Sequence, residues 1–143
     1  MFNLPIKTVM DKKKILTAPP PTTVSQAAEL MAAKNVGAVM VVEAGRLAGI
    51  FTERDAVFRV IARGLDPQTT CLSEVMTAAP LTVSPDKPFG LALLMMHENG
   101  FRHVPVIENG KPVGIVSSRN ALDPDLEEFV SEAQRRIHIQ ELR

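Results

Sequence analysis

The stretch that decides the fold is Ala48–Asp55, which reads Ala-Gly-Ile-Phe-Thr-Glu-Arg-Asp. It has the pattern of a short apolar strand that ends in a threonine, with an aspartate three residues further on. The pattern returns at Val113, where the chain reads Val-Gly-Ile-Val-Ser-Ser-Arg-Asn. Gly49 and Gly114 are the matching glycines of the two stretches and lie 65 positions apart. The repetition predicts that the chain is built from two copies of one unit.

The residues around this pattern predict the same series of elements in both copies: strand, helix, strand, hairpin, strand and helix. In the first copy, Thr23 followed by Gln26 has the spacing of a capping box, which starts a helix. The two helices are expected to end at Asn35–Gly37 and at Asn99–Phe101, because Asn and Gly commonly end helices. The Asn-Gly pair at 109–110 predicts the hairpin of the second copy.

The chain is predicted to divide into four segments: a lead-in at residues 1–8, a first repeat at 9–70, a second repeat at 71–122 and a C-terminal amphipathic helix at 123–143. The lead-in shows no periodicity and is expected to be only partly ordered. A unit of about 60 residues buries little surface, so the repeats are expected to pack together about a pseudo-twofold axis. The predicted fold class is α/β (α+β), with small sheets packed against helices.

Composition places the chain among ordinary globular proteins, with 45% hydrophobic and 22% charged residues in 143. Sixteen basic and sixteen acidic residues give a formal net charge of zero, which gives no electrostatic argument for a nucleic-acid or membrane partner. No apolar run approaches the about 20 residues of a membrane helix, and the N-terminus lacks the features of a signal peptide. Cys71 is the single cysteine, so no internal disulfide is possible and a cytoplasmic location is expected.

Several of these segments together resemble a pair of cystathionine-β-synthase (CBS) domains, the arrangement called a Bateman module. The likeness is carried by Thr23–Ala27 after its proline-rich lead-in, by Gly49–Asp55, and by Phe101–Val106, which reads Phe-Arg-His-Val-Pro-Val. It spans residues 9–122. The resemblance implies a stand-alone regulatory module that binds an adenine nucleotide in the cleft between repeats and signals its occupancy to a partner protein.

In that family the segment Gly-x-x-Thr/Ser-x-x-Asp binds the ribose and phosphate of the nucleotide. Thr52 and Asp55 match it fully, whereas in the second copy Ser117 keeps the hydroxyl and Asn120 replaces the aspartate. A carboxylate can accept two strong hydrogen bonds from a ribose diol, while an asparagine brings no charge. The same three-residue spacing also lets a helix cap its own N-terminus, so capping alone is the alternative interpretation of both pairs.

The resemblance also implies phosphate contacts by Arg102 and His103, at the start of a strand in the second copy. Arg54 and Arg119 stand at equal positions beside the two motifs and are candidates for the same role, or else solvated arginines at helix starts. By analogy, adenine is expected to contact backbone and apolar strand residues. These candidates are Leu16, Thr17, Leu81, Thr82, Val39 and Val104.

The expected ligand contains adenosine: AMP first, then ATP or ADP, NAD or S-adenosylmethionine. The expected partners are a second copy of the chain, in a homodimer, and an effector protein. No catalytic residue, catalytic cofactor or metal site is predicted, because the three histidines have no metal-ligand spacing and no nucleotide-hydrolase or hydrolase motif occurs. Two alternatives stay open: a structural interaction module with empty clefts, and an enzyme that acts on a bound nucleotide.

Overall fold

The structure, a computed structural model, describes residues 2–13, 15–121 and 124–141. The first half contains α1 (Ile6–Val9), β1 (Thr17–Ala18), α2 (Val24–Lys34), β2 (Ala38–Glu43), β3 (Arg46–Thr52) and α3 (Glu53–Asp55), which continues as a π-helical segment (Ala56–Ile61). The second half contains α4 (Leu72–Val75), β4 (Thr77–Ala78), α5 (Phe89–Asn99), β5 (His103–Glu108), β6 (Lys111–Ser117), a 3-10 turn (Ser118–Asn120) and α6 (Pro124–Glu141). This mixture of helices and small sheets confirms the predicted fold class.

The helix-capping and helix-ending residues predicted from the sequence are found at the ends of α2 and α5. The Thr23 hydroxyl accepts a bond from the Gln26 N–H at 3.2 Å, and the Gln26 side chain accepts one from the Thr23 N–H at 3.0 Å. This reciprocal cap starts α2. Asn35 and Gly100 follow α2 and α5 in the left-handed conformation, with φ of 55° and 70°. The starts and ends of the central helices are therefore determined locally.

Each half has its own small sheet. In the first half the strand order is β1-β2-β3-β4, with β1 parallel to β2 and the other pairs antiparallel. In the second half β5 and β6 form the predicted hairpin, whose turn residues Asn109 and Gly110 both have positive φ. In the second half a single bridge from Val83 to Val106 takes the place of the β1–β2 pairing of the first sheet. A single bridge from Asp11 to Ile115 takes the place of the β4–β3 pairing.

A proline explains why the second sheet has only a single bridge in place of β1. In the first half the Met40 N–H donates to the Leu16 carbonyl at 2.9 Å, which ties β1 to β2. Pro105 occupies the matching position of β5 and has no N–H to donate. The segment at Val83 is therefore held by fewer bonds than β1.

The prediction of a partly ordered lead-in at residues 1–8 is wrong. Ile6 is fully buried and packs into the core of the second half with Phe89, Val104 and Val116. Its N–H donates to the Lys87 carbonyl at 2.8 Å. The short helix α1 shows no periodicity in the sequence because Ile6 is its one buried residue, with Val9 partly buried against the same core, and Phe89, Val104 and Val116 lie more than 80 positions away.

In the same way, the leading helix of the second half contributes buried side chains to the core of the first half. Leu72 and Val75 of α4 are buried in the core of the first half with Phe51 and Val60, and β4 joins its sheet. The halves thus exchange their leading segments, so the predicted repeats 9–70 and 71–122 do not pack as separate units. This exchange locks the pair together.

The two glycines of the repeated stretch make room for the exchanged segments. A Cβ on Gly49 would overlap the sulfur of Met76 and lie 2.8 Å from the Thr77 carbonyl oxygen. A Cβ on Gly114 would lie 2.6 Å from the Met10 sulfur. Real Cβ atoms are not found this close to their neighbours, so each sheet needs a glycine where the other half's leading segment crosses it.

The halves meet through a small apolar cluster formed by Ala38, Ile50 and Ile115. Ile50 and Ile115 occupy equal positions of the two copies, as expected beside a pseudo-twofold axis. At the C-terminal end the predicted helix 123–143 is present as α6, and the side chains of its first residues, 124–130, lie outside the described set, as do residues 122, 123, 142 and 143. Within the described residues, no helix combines the length and apolarity needed to cross a membrane.

Candidate functional site

A groove of about 650 Å³ opens where β3 and α3 of the first half face the start of β5 in the second half. Its walls come from both halves, so it exists only because the two repeats pack together. Fourteen residues were predicted for the ligand site, and this groove brings six of them together. These six are Thr52, Arg54, Asp55, Leu81, Arg102 and His103.

Thr52 and Asp55 form a reciprocal cap at the start of α3. One Asp55 oxygen, Oδ2, accepts bonds from the Thr52 N–H at 2.9 Å and from the Thr52 hydroxyl at 3.2 Å. The Thr52 hydroxyl in turn accepts from the Asp55 N–H at 3.3 Å. The capping role that the spacing allowed is therefore present. It occupies one carboxylate oxygen and leaves the other for different partners.

The second oxygen of Asp55 pairs with Arg59, a residue that the sequence analysis missed. Asp55 Oδ1 lies 3.5 Å from Arg59 Nε, and the carboxylate is only 13% exposed. The Arg59 guanidinium also donates to the carbonyls of Val75 and Met76 at 3.2 and 3.1 Å. Arg59 thus ties the groove carboxylate to the end of the exchanged helix α4. The four-residue spacing from Asp55 was the available sequence signal for this pair.

Basic groups gather at the end of the groove nearest β5. Arg102 and Arg54 are exposed, and the Arg54 guanidinium lies 4.6 Å from the centre of the Phe58 ring. His103 is half-buried beside them. Burial is the main cause that lowers the pKa of His103; nearby Glu53 opposes the shift, and Arg119 and Arg102 add to it. Burial therefore favours the neutral imidazole, which can donate one N–H.

The groove is also lined by residues that were not predicted individually. Ile50, Thr77, Ala79 and Pro80 are among its lining residues together with Leu81. Ala79 has a positive φ of 46°, unusual for alanine, and its N–H donates to the Ala48 carbonyl at 3.1 Å. The sequence signal was the extended Thr77–Pro80 stretch directly before Leu81.

The second copy of the motif forms the same cap and lines a cavity of its own. The Ser117 N–H donates to Asn120 Oδ1 at 2.8 Å, and its hydroxyl donates to the same oxygen at 3.3 Å. Ser117, Ser118 and Arg119 line a cavity of about 500 Å³, and Ser117 also borders a smaller one of about 20 Å³. Nearby, the Lys34 amine donates to the Ile15 carbonyl at 2.7 Å.

The basic pair borders the cavities of both motifs. Arg102 and His103 line the groove beside the first motif and the cavity of about 500 Å³ beside the second, and Gly37 and Ala38 occupy the matching positions of the first half. Leu16 and Arg119 line the small cavity next to the second motif rather than the groove. The two motifs are similar in sequence and unequal in space and charge.

The placement of Val39 and Val104 beside the ligand is wrong. Both are fully buried in the cores of their halves, in contact with helices rather than with the cleft. Side chains alternate across a strand, so the neighbouring residue Ala38 lies in the cluster between the halves instead. Thr17 is exposed on β1 and Thr82 is half-buried, and neither is among the groove residues.

Metal chemistry finds no support in the part of the chain that the structure describes. Within residues 2–13, 15–121 and 124–141, no three His, Cys, Asp or Glu side chains come close enough together to hold a metal ion. The candidate site therefore consists of a carboxylate held by a cap, an apolar wall and a basic end. This combination suits an organic anion with a polyhydroxyl group between its apolar and anionic parts.

The fold and groove define a class of protein: two small α+β units that exchange their leading segments and enclose a ligand-sized cleft. The chain belongs to the CBS-domain family, whose sequence profile matches residues 6–62 and 72–126. The resemblance inferred from the sequence is thereby confirmed.

Similar proteins agree with this assignment. A CBS domain-containing protein of Arabidopsis thaliana is 41% identical over 110 residues, which cover 76% of this chain and 20% of that protein. The chain thus spans about a fifth of that relative's length. An uncharacterized conserved protein from Pyrococcus horikoshii has a TM-score of 0.78 at 34% identity, covering 84% of this chain and 90% of that one.

A CBS domain protein from Pyrobaculum aerophilum, solved in complex with AMP, has a TM-score of 0.77 over 90% of this chain and 99% of that one. Its sequence identity to this chain is 24%, so it supports the fold alone.

Proposed function

We propose that this chain is a regulatory module that binds one adenine nucleotide in the groove and passes the occupancy of that groove to a partner protein. Proteins of the CBS family generally act as regulatory, nucleotide-binding modules. The observation that carries the proposal is that Asp55 of the first half and the pair Arg102 and His103 of the second half line one groove. A carboxylate for a ribose and basic groups for a phosphate thus come from different halves.

The groove offers a partner for each part of a nucleotide. Asp55 accepts hydrogen bonds from the ribose diol, with its position held by Thr52 and Arg59. Arg102 and His103 bind phosphate, and a bound phosphate favours protonation of the imidazole. The backbone and apolar wall at Thr77–Pro80 contacts the adenine. AMP is the first candidate ligand, followed by ATP or ADP and then NAD. S-adenosylmethionine comes last, because it carries no phosphate.

Only the first motif is proposed to bind with the full set of contacts. The second has Asn120 in place of the carboxylate, and Asn120 does not line the cavity of about 500 Å³ beside Ser117. We therefore propose one nucleotide per chain, held at Asp55. Asn120 then serves as an internal control for Asp55, since both side chains make the same cap.

Occupancy would be transmitted through the relation between the two halves. A nucleotide held by Asp55 and Arg102 connects α3 of the first half to β5 of the second, so it favours arrangements in which these walls are close. We also propose that the module acts as a homodimer through an exposed apolar ridge on and after the π-helical segment. The ridge consists of Val57, Phe58, Ile61 and Leu65.

The test is calorimetric titration of nucleotide-free protein with AMP, ATP, NAD and S-adenosylmethionine. Asp55→Asn keeps the cap, as Asn120 does in the second copy, and removes the charge. We expect this variant to bind at least about tenfold more weakly than wild type, because hydrogen bonds to charged groups contribute about 1.5–3 kcal/mol. Asn120→Asp should leave binding within about twofold, since Asn120 does not line the groove. Equal affinity of Asp55→Asn and wild type would refute the assignment.

A structural interaction module is the second candidate function, and one observation favours it. Both motif pairs make complete helix caps without any ligand, so their residue types are explained by folding alone. This function predicts no binding heat and no change in melting temperature with millimolar nucleotide. Turnover of a bound nucleotide that is lost in Asp55→Ala would instead identify an enzyme.

A further inference from the structure

Arg59 lies where the groove meets the segment that the second half contributes to the first. Its side chain lines the groove and is 38% exposed. Arg59 Nε lies 3.5 Å from Asp55 Oδ1, and Nη1 donates to the carbonyls of Val75 and Met76 at 3.2 and 3.1 Å. The planar guanidinium, with its fork of N–H donors, can contact the carboxylate and the backbone at the same time. One side chain of the first half thus connects the groove carboxylate to the backbone of the second half.

The two carbonyls lie where α4 ends and β4 begins. Together these elements form the α4–β4 segment, Leu72–Ala78. Leu72 and Val75 dock this segment in the core of the first half. The same backbone runs on into the groove, where Thr77 is its first lining residue. Arg59 therefore contacts the α4–β4 segment between its buried helix and the part that reaches the groove.

The second copy cannot form the matching link. Position 124, four residues after Asn120, is a proline and has no side-chain donor. The carbonyls at the places of Val75 and Met76 belong there to Val9 and Met10, at the end of α1. Both copies make the same cap, so capping does not require an arginine at position 59. The link to the exchanged segment is an addition in the copy that carries the aspartate.

A ligand on Asp55 would strengthen this link by removing water from it. The Asp55 side chain is 13% exposed, whereas that of Arg59 keeps more contact with solvent. A nucleotide that covers the groove replaces water beside both side chains. Opposite charges attract more strongly where the local dielectric constant is lower. The guanidinium is then held more firmly, and so are the two carbonyls that accept hydrogen bonds from it.

We propose that Arg59 is a positioning residue that couples occupancy of the groove to docking of the α4–β4 segment. This inference rests on the proposed function and specifies how occupancy leaves the site. Coupling of this kind is reciprocal, so docking of the segment raises nucleotide affinity by the factor by which the nucleotide stabilises docking. The coupling reaches Leu72–Met76, which are described residues outside the lining of the groove.

The experiment measures hydrogen–deuterium exchange of the full chain by NMR, with and without millimolar AMP, ATP, NAD or S-adenosylmethionine. The reporters are the N–H groups of Leu72, Ser73 and Met76, which donate to the carbonyls of Thr22, Pro20 and Leu72. We expect the ligand that binds most tightly to slow their exchange at least about fivefold in wild type. The Met10 N–H, at the matching place after α1, is the internal control and should change by less than about twofold.

Arginine variants distinguish coupling from a merely structural role. Arg59→Gln should weaken ligand binding at least about fivefold and abolish the protection at Leu72–Met76 even at saturating ligand. Arg59→Lys keeps the charge beside Asp55 without the fork, so it should recover part of the affinity and not the protection. It also serves as the test if Arg59→Gln does not fold. Arg63→Gln removes the same charge at an exposed position outside the groove lining and should change neither quantity.

Three results would overturn the proposal. Ligand binding that Asp55→Asn weakens, without protection at Leu72–Met76, would remove the coupling and leave the proposed function standing. Wild-type affinity in Arg59→Gln, or protection that persists in both Arg59 variants, would show that any coupling runs through direct ligand contacts instead. Absence of binding by all four ligands would remove both the proposed function and this inference.

Discussion

Asp55 combines a structural and a proposed functional role in one side chain. One of its oxygens caps α3, and the other pairs with Arg59. Asn120 performs the capping role in the second copy with an uncharged side chain. The two copies thus differ in the charge of this side chain. A helix cap does not need the charge, whereas the proposed ribose contact would use it.

The two capping residues give a stability prediction at the residue scale. Asp55→Ala should lower the free energy of unfolding by about 0.5–2 kcal/mol, because the Thr52 N–H loses its acceptor. Asn120→Ala should cost a similar amount, while Asp55→Asn should cost little. Urea denaturation of the three variants measures this. If Asp55→Asn lowered the free energy of unfolding as much as Asp55→Ala, the ion pair with Arg59 would be the main contribution of Asp55 to stability.

His103 gives a pH prediction. Its folded-state pKa is lowered, chiefly by burial, below the value of about 6.5 that holds in the unfolded chain. The unfolded state therefore binds a proton more readily, and stability falls as the pH drops from about 7 through that window. His103→Gln should remove this contribution to the pH dependence of stability. The urea midpoints of wild type and His103→Gln, measured between about pH 8 and 5.5, test this prediction. Parallel plots of midpoint against pH for the two proteins would contradict it.

At the scale of elements, the exchange of leading segments has the largest consequence. The short helices α1 and α4 each place apolar side chains in the core of the other half. Neither helix is long enough to be stable alone, so each depends on the half that receives it. Separation of the halves therefore exposes core residues on both sides, and the pair should unfold as one cooperative unit.

Ile6 tests this role of α1. Ile6→Ala should lower the free energy of unfolding by about 2–5 kcal/mol, since it leaves a cavity in the core of the second half. The control is Leu4→Ala, a similar truncation two residues away on a side chain that is 46% exposed. The control should change stability by less than about 0.5 kcal/mol. Chemical denaturation that found equal, small effects would mean that the lead-in contributes no core contact.

Gly49 tests the crossing of the exchanged segment over β3. Gly49→Ala should destabilise the protein by about 1–3 kcal/mol, because the new methyl group meets the Met76 sulfur and the Thr77 carbonyl. Adding Met76→Ala should recover only part of the loss, since the backbone contact remains. Thermal and chemical unfolding of the single and double variants measure both steps. A neutral Gly49→Ala would show that β4 can move away without cost.

At the scale of the whole molecule, the two halves produce a site that neither half contains. The groove takes its carboxylate from the first half and its basic pair from the second. Binding of the proposed nucleotide across this groove would therefore depend on the arrangement of the halves, which is the physical requirement for a sensor. In the proposed homodimer, the exposed ridge of Val57, Phe58, Ile61 and Leu65 would extend this linkage to a second copy of the chain.

The ridge gives the prediction for assembly. Ile61 is 71% exposed, and Ile61→Glu places a charge in the middle of the proposed dimer contact. We expect this variant to sediment as a monomer where wild type sediments as a dimer. Ala62→Glu, at the next exposed position, adds the same charge and should leave the dimer intact. Identical sedimentation of all three proteins would place any self-association on another surface.

Much of the architecture could be predicted because its signals are local. The Thr23–Gln26 cap, the helix ends at Asn35 and Gly100 and the Asn-Gly hairpin each depend on residues within a few positions of one another. The family followed from the order of such signals, repeated at one spacing. The caps of both motifs could be predicted for the same reason, since each forms between residues three positions apart.

The sequence by itself thus determined the repeat, the elements and the residue types of the motif. Only the tertiary structure decided that α1 and α4 change places, that Val39 and Val104 face the cores, and that the first motif shares one groove with Arg102 and His103 of the other half. These features depend on contacts between residues far apart in the chain. They form when both halves pack at once, and no local pattern encodes that packing.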